Sequence, residues 1–525
     1  MFARMNQKFT IANKGFRSLS LALIFLCGCS ADSKSQPDSQ TESPFLGMEI
    51  EVAAPQGPEF TTLWKLTLDE WAAGIGADYR IKEYDLSWST ISLMDAIAGE
   101  LSGGSNSAAN VLVFPITEVT TLAVDGILGP IPEKELSDHK DSLGWLDLFQ
   151  GLREQVASIQ EKPMIIPLCS PVLVCYYRRD LLENAGLDPP QTWQDYQRFV
   201  DTLERWAVVD KEVLTAVEPW GEDFRSTMFL ARAVSYAKHP SNYSLFFDIQ
   251  SGEPLVDGPG FVRALESAQA AVQKMPEEIR RYTPSDCRRD FFAGKAAMAI
   301  TFETALDNLP LSFGPGQPVV RKDRPSTSAT NSGRIKSMNV GFCRLPGVNE
   351  VYNRSSKMWE QTPDESVNRV ALTAFGGLCI GVSANRCRLE TQAAWDLVKT
   401  LAVDKIANTF PHATKSLCRE SQLAEASSWI GADLTADERG RYLSTVSRSL
   451  NNSRVVAELP VVERARFRVA LTEALGTLLA GATTPRAALK DVGRRWRQIV
   501  EKIGAGRVRD SYRIRLGLAP LGSRK

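Results

Sequence analysis

Between residues 47 and 128 the sequence alternates short strand-like runs with longer amphipathic runs, and this alternation restricts the possible folds most strongly. The expected strands are GMEIEVAAP, ADYRIKEYDL and NVLVFP, and the expected helices are EFTTLWKLTLDEWAAGIG, SLMDAIAGELSGG and EVTTLAVDGIL. Strands separated by helices of this length usually pair in parallel through right-handed crossovers. The first part of the chain is therefore predicted to be an α/β layer built on a mostly parallel sheet.

The stretch YYRRDLLENAGLDPPQTWQDY, residues 176–196, predicts a strand followed by two helices. The tyrosines extend an apolar strand that begins near Pro171, and RRDLLENAG forms a helix that ends at Gly186. The following proline pair cannot continue that helix, whereas Thr192 can cap the next one, WQDYQRFVDTLERWA. Helices dominate beyond it, with later strands predicted at AAMAITF and GGLCIGVSA. Residues 316–338 and 349–365 are polar and lack periodicity, which predicts two inserted surface loops.

The N-terminal residues 1–28 have the pattern of a secretory signal. Basic residues precede the apolar run LSLALIFL, which is too short to span a bilayer as a helix. The next residues, LCGC, resemble a bacterial lipobox, which implies cleavage after Gly28 and lipidation of Cys29. An ordinary secretory signal with a chance cysteine is the alternative. Residues 29–46 are polar and Ser-rich, so a flexible tether on a lipid-anchored, extracytoplasmic protein is expected, at the periplasmic face or the cell surface.

Charge and cysteine usage argue against nucleic-acid and metal sites. The formal net charge is −1, from 61 basic and 62 acidic residues, so no global field attracts nucleic acid. None of the nine cysteines forms a CxxC pair and the three histidines lie far apart, so no metal site is expected. Removal of the signal and lipidation of Cys29 leave an odd number of cysteines, which cannot all pair within one chain. Free structural thiols are expected, with one or two disulfides as the alternative.

The sequence lacks the common catalytic motifs. There is no GxSxG, HExxH or GxxxxGK[ST] pattern, so neither an enzyme nor a cofactor is expected. Any two acids can meet in a fold to hydrolyse a glycoside, so a secreted glycan-processing enzyme stays open as an alternative. The cluster of Arg494, Arg495 and Arg497 is expected to be a solvated helix face and not a nucleic-acid site.

The order of the motifs resembles one family, the extracellular solute-binding proteins, family 1, which deliver sugars to bacterial ABC importers. EIEVAAPQG and GIGADYRIKEY are similar to its opening blocks, and NVLVFPITEVTTLAVDGILGPI is similar to the next, with Asn110 where aspartate is usual. Residues 176–196 are similar to the block lyYNkdlfekaGldpPkTWdEl, with Arg178 in place of asparagine. The later blocks follow in family order as LFFDIQSGEPLVDGPGFVRALE, FFAGKAAMAITFET, VGFCRLPG, LCIGVSANRCRLETQAAWDLVKTLA and LLAGATTPRAALKDV. The resemblance covers nearly all of residues 47–505.

This resemblance implies a two-lobed α/β clamp in which each lobe is a mostly parallel sheet flanked by helices. The implied division is residues 47–168 for the first part of lobe 1, 169–371 for the first part of lobe 2, 372–410 for the return to lobe 1 and 411–525 for a helical C-terminal region that completes lobe 2. The implied function is the capture of a small solute, a sugar or oligosaccharide, by a monomer that passes it to ABC permease subunits. The same fold would serve a sensor or scaffold without an importer, which is the second alternative.

A sugar site needs flat aromatic rings for stacking and polar side chains at its edges. Trp220 lies in the polar stretch EPWGED, which predicts a large aromatic ring on an exposed loop. For the phenylalanines core positions are the alternative, and for the two acids solvated surface charges are the alternative. By their positions in the family blocks, the candidate ligand contacts are Gln56, Phe114, Thr117, Glu118, Ser170, Trp220, Phe302, Glu303, Phe375 and Gly376.

Overall fold

The computed structural model describes most of the chain beyond the predicted tether. The described residues are 43–55, 58–84, 109–136, 141–205, 213–303, 338–363, 366–404, 408, 411, 414–431 and 434–522. The segment from Ser43 to Lys525 makes up one compact unit. The predictions for the signal sequence, Cys29, Gln56, the helix SLMDAIAGELSGG and the loop at 316–337 lie outside the described residues.

Strands and helices alternate through the first half of the described chain, and helices dominate its C-terminal part. The strands are β1 (Glu49–Pro55), β2 (Asp78–Tyr84), β3 (Val111–Pro115), β4 (Ser158–Ile159), β5 (Lys162–Pro163), β6 (Ile166–Cys169), β7 (Val174–Arg178), β8 (Met298–Thr301), β9 (Val340–Arg344), β10 (Glu350–Asn353), β11 (Met358–Gln361), β12 (Ala371–Thr373), β13 (Leu378–Val382) and β14 (Val455–Ala457). The helices are α1 (Pro58–Ile75), α2 (Val119–Val124), α3 (Gln150–Leu152), α4 (Arg179–Ala185), α5 (Trp193–Arg205), α6 (Arg225–Ala237), α7 (Pro259–Val272), α8 (Pro284–Phe292), α9 (Arg388–Lys399), α10 (Gln422–Ala426), α11 (Ala436–Leu450), α12 (Arg464–Leu479), α13 (Pro485–Ile503) and α14 (Ala505–Arg515).

The first sheet has five strands in the order β2-β1-β3-β13-β6. The strands β1, β2 and β3 run parallel, as the alternating pattern predicts, with Val52 opposite Val111. The strand β13 runs antiparallel to both of its neighbours, so that Leu378 lies opposite both Pro115 and Cys169, and β6 is parallel to the first three strands. Every residue of β3 and β13 is buried, as expected for strands in the middle of a sheet that is covered on both faces.

Asn110, where the family usually has aspartate, ties β1 to β3. Its side-chain oxygen accepts the backbone amide of Glu51 at 2.9 Å, and its backbone amide donates to the Glu51 carbonyl at 2.8 Å. Because the residue is only 5 % exposed, an uncharged amide makes this acceptor contact without burying a negative charge. The departure from the family pattern therefore has a structural explanation.

The second sheet has three strands in the order β8-β7-β9, all antiparallel, and its central strand carries the paired tyrosines. Tyr176 is fully buried, with its ring centroid 4.9 Å from that of Phe342 and 5.8 Å from that of Tyr442. On the other face, Tyr177 covers Gly341, where an added Cβ would lie 2.1 Å from the tyrosine ring. The two tyrosines therefore pack on opposite faces of β7.

The predicted strand–helix–helix unit is confirmed. Arg178, at the position of the usual asparagine, pairs with Asp180 and leads into α4, which ends at Gly186 with a φ of 65°. The hydroxyl of Thr192 accepts the amide of Asp195 at 3.1 Å, and the Asp195 carboxylate accepts the amide of Thr192 at 2.9 Å. This reciprocal capping fixes the start of α5.

Residues 349–365, predicted to be an inserted surface loop without periodicity, contain regular secondary structure. Strands β10 and β11 form an antiparallel hairpin there, in which Glu350 lies opposite Gln361. Trp359 contacts Tyr352, and its ring lies 4.3 Å from the guanidinium of Arg263. The hairpin escaped detection because every residue of β11 is exposed or half-buried, so the strand has no apolar alternation.

The arginine cluster on α13 forms the solvated helix face that the sequence predicts. Arg494 and Arg495 are 59 % and 31 % exposed, and they pair with Asp491 and Glu473. Arg497 is 44 % exposed and pairs with Asp257 at 3.0 Å. The three arginines therefore form ion pairs with acidic residues of the same chain.

The seven cysteines in the described part of the chain are free thiols, which agrees with the first of the two expectations for them. Cys387 is exposed and Cys343 is half-buried. The others are buried, namely Cys169, Cys175, Cys287, Cys379 and Cys418.

Candidate functional site

Most of the predicted ligand contacts lie along one edge of the first sheet. Pro115, Cys169 and Leu378 are level there, because β13 runs antiparallel to both β3 and β6. This is the carboxyl edge of β3 and β6, which in open α/β sheets is where ligands bind. The structure therefore brings together candidates from three separate segments, namely Phe114, Thr117, Glu118, Ser170, Phe375 and Gly376.

Gly377 sets the close approach of these segments. It has a φ of 100°, and an added Cβ would lie 2.1 Å from the carbonyl oxygen of Cys169 and 3.1 Å from the Cα of Ser170. Its carbonyl also accepts the amide of Ile116 at 3.1 Å. Three stretches of backbone thus meet where only glycine fits.

Ser170 presents a buried hydroxyl at this edge. The residue is 1 % exposed, and its oxygen has no hydrogen-bond partner among the described residues. A buried polar group without a partner costs about 1–3 kcal/mol, so its oxygen is well suited to bond a ligand hydroxyl. The hydroxyl of Thr373 is also buried and also has no hydrogen-bond partner among the described residues. Sequence analysis missed Thr373, which lies just before Phe375.

The end of β8 joins this edge through an aromatic contact. The ring centroids of Phe302 and Phe375 lie 5.9 Å apart. The carboxylate of Glu303 accepts the hydroxyl of Tyr176 at 3.2 Å, and the Glu303 amide donates to the hydroxyl of Tyr442 at 3.1 Å. The two sheets therefore approach each other through Phe302 and Phe375, with Glu303 held beside them.

Burial sets the protonation of the groups around Glu303. Burial, followed by electrostatic interaction with Tyr442 and Glu303, raises the pKa of Tyr176 well above its usual value. Burial likewise raises the pKa of Tyr442, so both phenols keep their protons at neutral pH. Burial lowers the pKa of Lys415, and the negative charge of Glu303 partly opposes that shift. Lys415 also donates to the carbonyl of Trp429 at 3.0 Å.

Glu118 is fully buried, so the alternative of a solvated surface charge is wrong for it. Its carboxylate accepts the hydroxyl of Thr117 at 3.1 Å. Burial, then Cys169 and then Glu118, raises the pKa of the Cys379 thiol in the neighbouring strand. A carboxylate at this position is a strong acceptor for ligand hydroxyls.

The three phenylalanines are buried, which agrees with the alternative of core positions at strand ends. Phe114 is 0 % exposed, and Phe302 and Phe375 are each 1 % exposed. Their role in stacking on a ligand stays a prediction.

Trp220 does not lie on an exposed loop, and that prediction is wrong. The residue is 1 % exposed, and its indole nitrogen donates to the Glu218 carboxylate at 3.0 Å. Glu218 is itself fully buried and pairs with Arg232 at 2.7 Å. The Arg232 guanidinium lies 4.0 Å from the Trp193 ring. The polar stretch around Trp220 is therefore turned inward, with its acid neutralised by an arginine of α6, and a ligand contact by Trp220 stays a prediction.

Two other kinds of feature are absent from the described ranges. They contain no group of three or more His, Cys, Asp or Glu side chains that could hold a metal ion. None of the helices described has the length and apolar content needed to cross a bilayer.

Comparison with known families decides the class of protein. The model of a family described as bacterial extracellular solute-binding protein matches residues 78–415, which is more than half of the chain. The chain belongs to this family. The resemblance noted in the motifs is confirmed, and the family is one of extracytoplasmic binding proteins, not enzymes.

Solved structures show the same two-lobed fold for this solute-binding protein. The sugar-binding protein MalE from Xanthomonas citri is 17 % identical, with a TM-score of 0.60 over 87 % of this chain and 98 % of that chain. The cyclic alpha-maltosyl-1,6-maltose binding protein from Arthrobacter globiformis is 14 % identical, with a TM-score of 0.57 over 87 % and 100 % of the two chains. An ABC transporter solute-binding protein from Agrobacterium radiobacter, in complex with ribitol, is 20 % identical, with a TM-score of 0.56 over 87 % and 100 %.

Proposed function

We propose that this solute-binding protein captures a sugar, an oligosaccharide or a sugar alcohol in the cleft between its lobes and delivers it to an ABC importer. The observation that carries the proposal is the contact between the rings of Phe302 and Phe375, which joins the end of β8 to the edge of the first sheet where Ser170 lies. Glu303 directly follows Phe302 in the chain. Hydroxyl and carboxylate groups suit the hydroxyl belt of a sugar, and aromatic rings suit its apolar faces. The ribitol and maltose-type ligands named for the structural neighbours support this solute class.

The proposed lobes follow the division expected from the sequence. Lobe 1 consists of residues 47–168 and 372–410, and lobe 2 consists of residues 169–371 and 411–525. The strands of the three-stranded sheet all come from the proposed lobe 2, and those of the five-stranded sheet come from lobe 1 up to the crossing at β6. Closure of the lobes would bury the solute between the two sheets.

The first prediction concerns Glu303. Titration with maltose, ribitol and D-mannitol should raise the Tm of the wild type. At a ligand concentration of a hundred times its Kd, the free energy of unfolding should increase by about 2.7 kcal/mol. Glu303→Gln should weaken that ligand about tenfold, because hydrogen bonds to charged groups contribute about 1.5–3 kcal/mol and about 1.4 kcal/mol is tenfold in affinity. Isothermal titration calorimetry measures the change.

Glu473→Gln is the matched control, since the Glu473 side chain is 55 % exposed on α12 and pairs with Arg495 away from the site. It should bind like the wild type. Wild-type affinity in Glu303→Gln would remove Glu303 from the proposed site. Absence of a Tm rise with every sugar and sugar alcohol tested would count against the solute class itself.

The second prediction concerns the anchor. We propose that Cys29 is the lipidated first residue of the mature protein. The wild type, expressed in a bacterial host, should then partition with membranes and have a blocked N-terminus, and Cys29→Ala should appear in the soluble fraction. Membrane fractionation and intact mass measure both effects. Recovery of the wild type as a soluble protein with an unmodified N-terminal Ser or Ala would contradict the anchor.

A further inference from the structure

Cys175 and Cys343 lie directly opposite each other on β7 and β9. They occupy a hydrogen-bonded position of the antiparallel ladder, because the amide of Arg179 donates to the carbonyl of Asn339 at 2.8 Å and such positions recur at every second residue. Cα atoms at such positions are about 5.5 Å apart. A disulfide spans Cα distances of roughly 4.4–6.8 Å, so the backbone spacing already suits a bond between the two residues.

The two thiols also influence each other electrostatically. A hydrogen bond with the thiol of Cys343, together with burial, raises the pKa of the Cys175 thiol well above its usual value. Opposed residues of an antiparallel pair project from the same face of a sheet, so this interaction follows from the register. The register therefore supplies the side-chain direction and a Cα spacing within the disulfide range. At a hydrogen-bonded position the Cβ atoms are about 5.5 Å apart, so they must move to within about 4.5 Å of each other when the bond forms.

We propose that Cys175 and Cys343 form a disulfide when the protein meets a low-molecular-weight disulfide, such as oxidised glutathione, outside the cytoplasm. The family is extracytoplasmic, and disulfides form and persist in such oxidising surroundings. The exposed Cys387 has no such partner assigned by strand pairing, and the fully buried Cys287 is shielded from a soluble oxidant.

The exchange begins at Cys343, because it is half-buried while Cys175 is fully buried. The Cys343 thiol loses its proton to solvent, and the resulting thiolate attacks one sulfur of oxidised glutathione, which forms a mixed disulfide and releases one glutathione thiolate. Cys175 then gives its proton to a released thiolate and attacks the Cys343 sulfur, which releases the second glutathione. Two protein thiols are oxidised and one glutathione disulfide is reduced to two thiols.

The bond would join the central strand of the second sheet to an edge strand that the fold already pairs with it. The loop that it closes contains β8 and the helices α4 to α8, so the unfolded chain loses much conformational freedom. Oxidation should therefore stabilise the fold. It would also fix β9 beside Tyr176, which contacts Glu303.

The test uses a folded, soluble form of the protein that lacks the signal and Cys29. This protein is incubated with oxidised glutathione, and its remaining thiols are then blocked. The peptides of a digest under non-reducing conditions are analysed by mass spectrometry. The expected result is a cross-linked peptide pair containing Cys175 and Cys343, with Cys287 still a thiol and Cys387 carrying glutathione. The Tm of the oxidised protein should exceed that of the reduced protein by a few degrees, and a reductant should reverse the rise.

Cys343→Ser and Cys387→Ser form a matched pair of variants. The first should lose both the cross-link and the Tm rise, whereas the second should keep both. In Cys175→Ala, Cys343 should accumulate as the mixed disulfide. Wild-type protein in which Cys343 stays a thiol, or is found only with glutathione attached, would overturn the proposal. A Tm rise that persists in Cys343→Ser would do the same, even if sugar binding were normal.

Discussion

Trp220→Ala should lower the stability of the ligand-free protein by about 3–5 kcal/mol, the usual cost of removing a buried tryptophan. The side chain is 1 % exposed, and its loss would leave a cavity beside Glu218. The Glu218 carboxylate would also lose the indole donor at 3.0 Å while it stays buried with Arg232. Urea unfolding monitored by circular dichroism measures the loss.

Trp220→Phe separates the two contributions, because it keeps an aromatic ring and removes the hydrogen bond to Glu218. Its cost should be about 1–3 kcal/mol, the range for a buried polar group that loses its partner. Trp359→Ala on the β10–β11 hairpin is the matched control, since Trp359 is only half-buried and its contact with Arg263 is worth about 0.5–1 kcal/mol. If Trp220→Ala kept wild-type stability and weakened sugar binding, Trp220 would be a ligand contact and would not stabilise the fold.

Local physics was enough to predict the parts of the fold that depend on neighbouring residues. The strand–helix alternation before residue 128 predicted the parallel pairing of β1, β2 and β3, which the register confirms. Capping by Thr192 and termination at Gly186 followed from residue type alone, because a cap or a left-handed turn requires few side chains.

The environment of Trp220 could not be predicted in the same way. Its acidic neighbours suggested solvent, yet Glu218 is neutralised by Arg232, which lies 14 residues further along on α6. Only the packing of that helix decides whether such an acid faces water or an arginine. The pairing of Glu303 with Tyr442, 139 residues away, is likewise invisible to any local pattern.

The strand ends of the candidate site were easier to anticipate than its interior contacts. The family blocks singled out Ser170, Phe302 and Phe375. In the structure Ser170 and Phe375 lie at one edge of the first sheet, and Phe302, after β8 of the second sheet, contacts Phe375. The blocks did not reveal Thr373 or Lys415. The hydroxyl of Thr373 lacks a hydrogen-bond partner among the described residues, and Lys415 interacts electrostatically with Glu303. Neither property can be recognised from the sequence without the fold.

Gly377→Ala should be at least as damaging as Trp220→Ala, because the new Cβ would meet backbone and not a movable side chain. The φ of 100° alone costs a non-glycine residue about 1–3 kcal/mol. The Cβ would also lie 2.1 Å from the carbonyl oxygen of Cys169, so β6 or the turn before β13 must shift. Such a shift displaces Ser170 and Phe375 from each other, and the affinity for the sugar should fall together with the Tm.

Gly440→Ala is the matched control for that substitution, since Gly440 lies in α11 with nothing within 4 Å of an added Cβ. It should gain roughly 0.5–1 kcal/mol, because alanine is the better helix former. Opposite signs for the same chemical change would show that the loss at Gly377 comes from the crowded crossing between β6 and β13. If Gly377→Ala instead kept wild-type Tm and affinity, the close approach of Ser170 and the Phe375 segment would not determine the site, and the proposed cleft would have to be built from other residues.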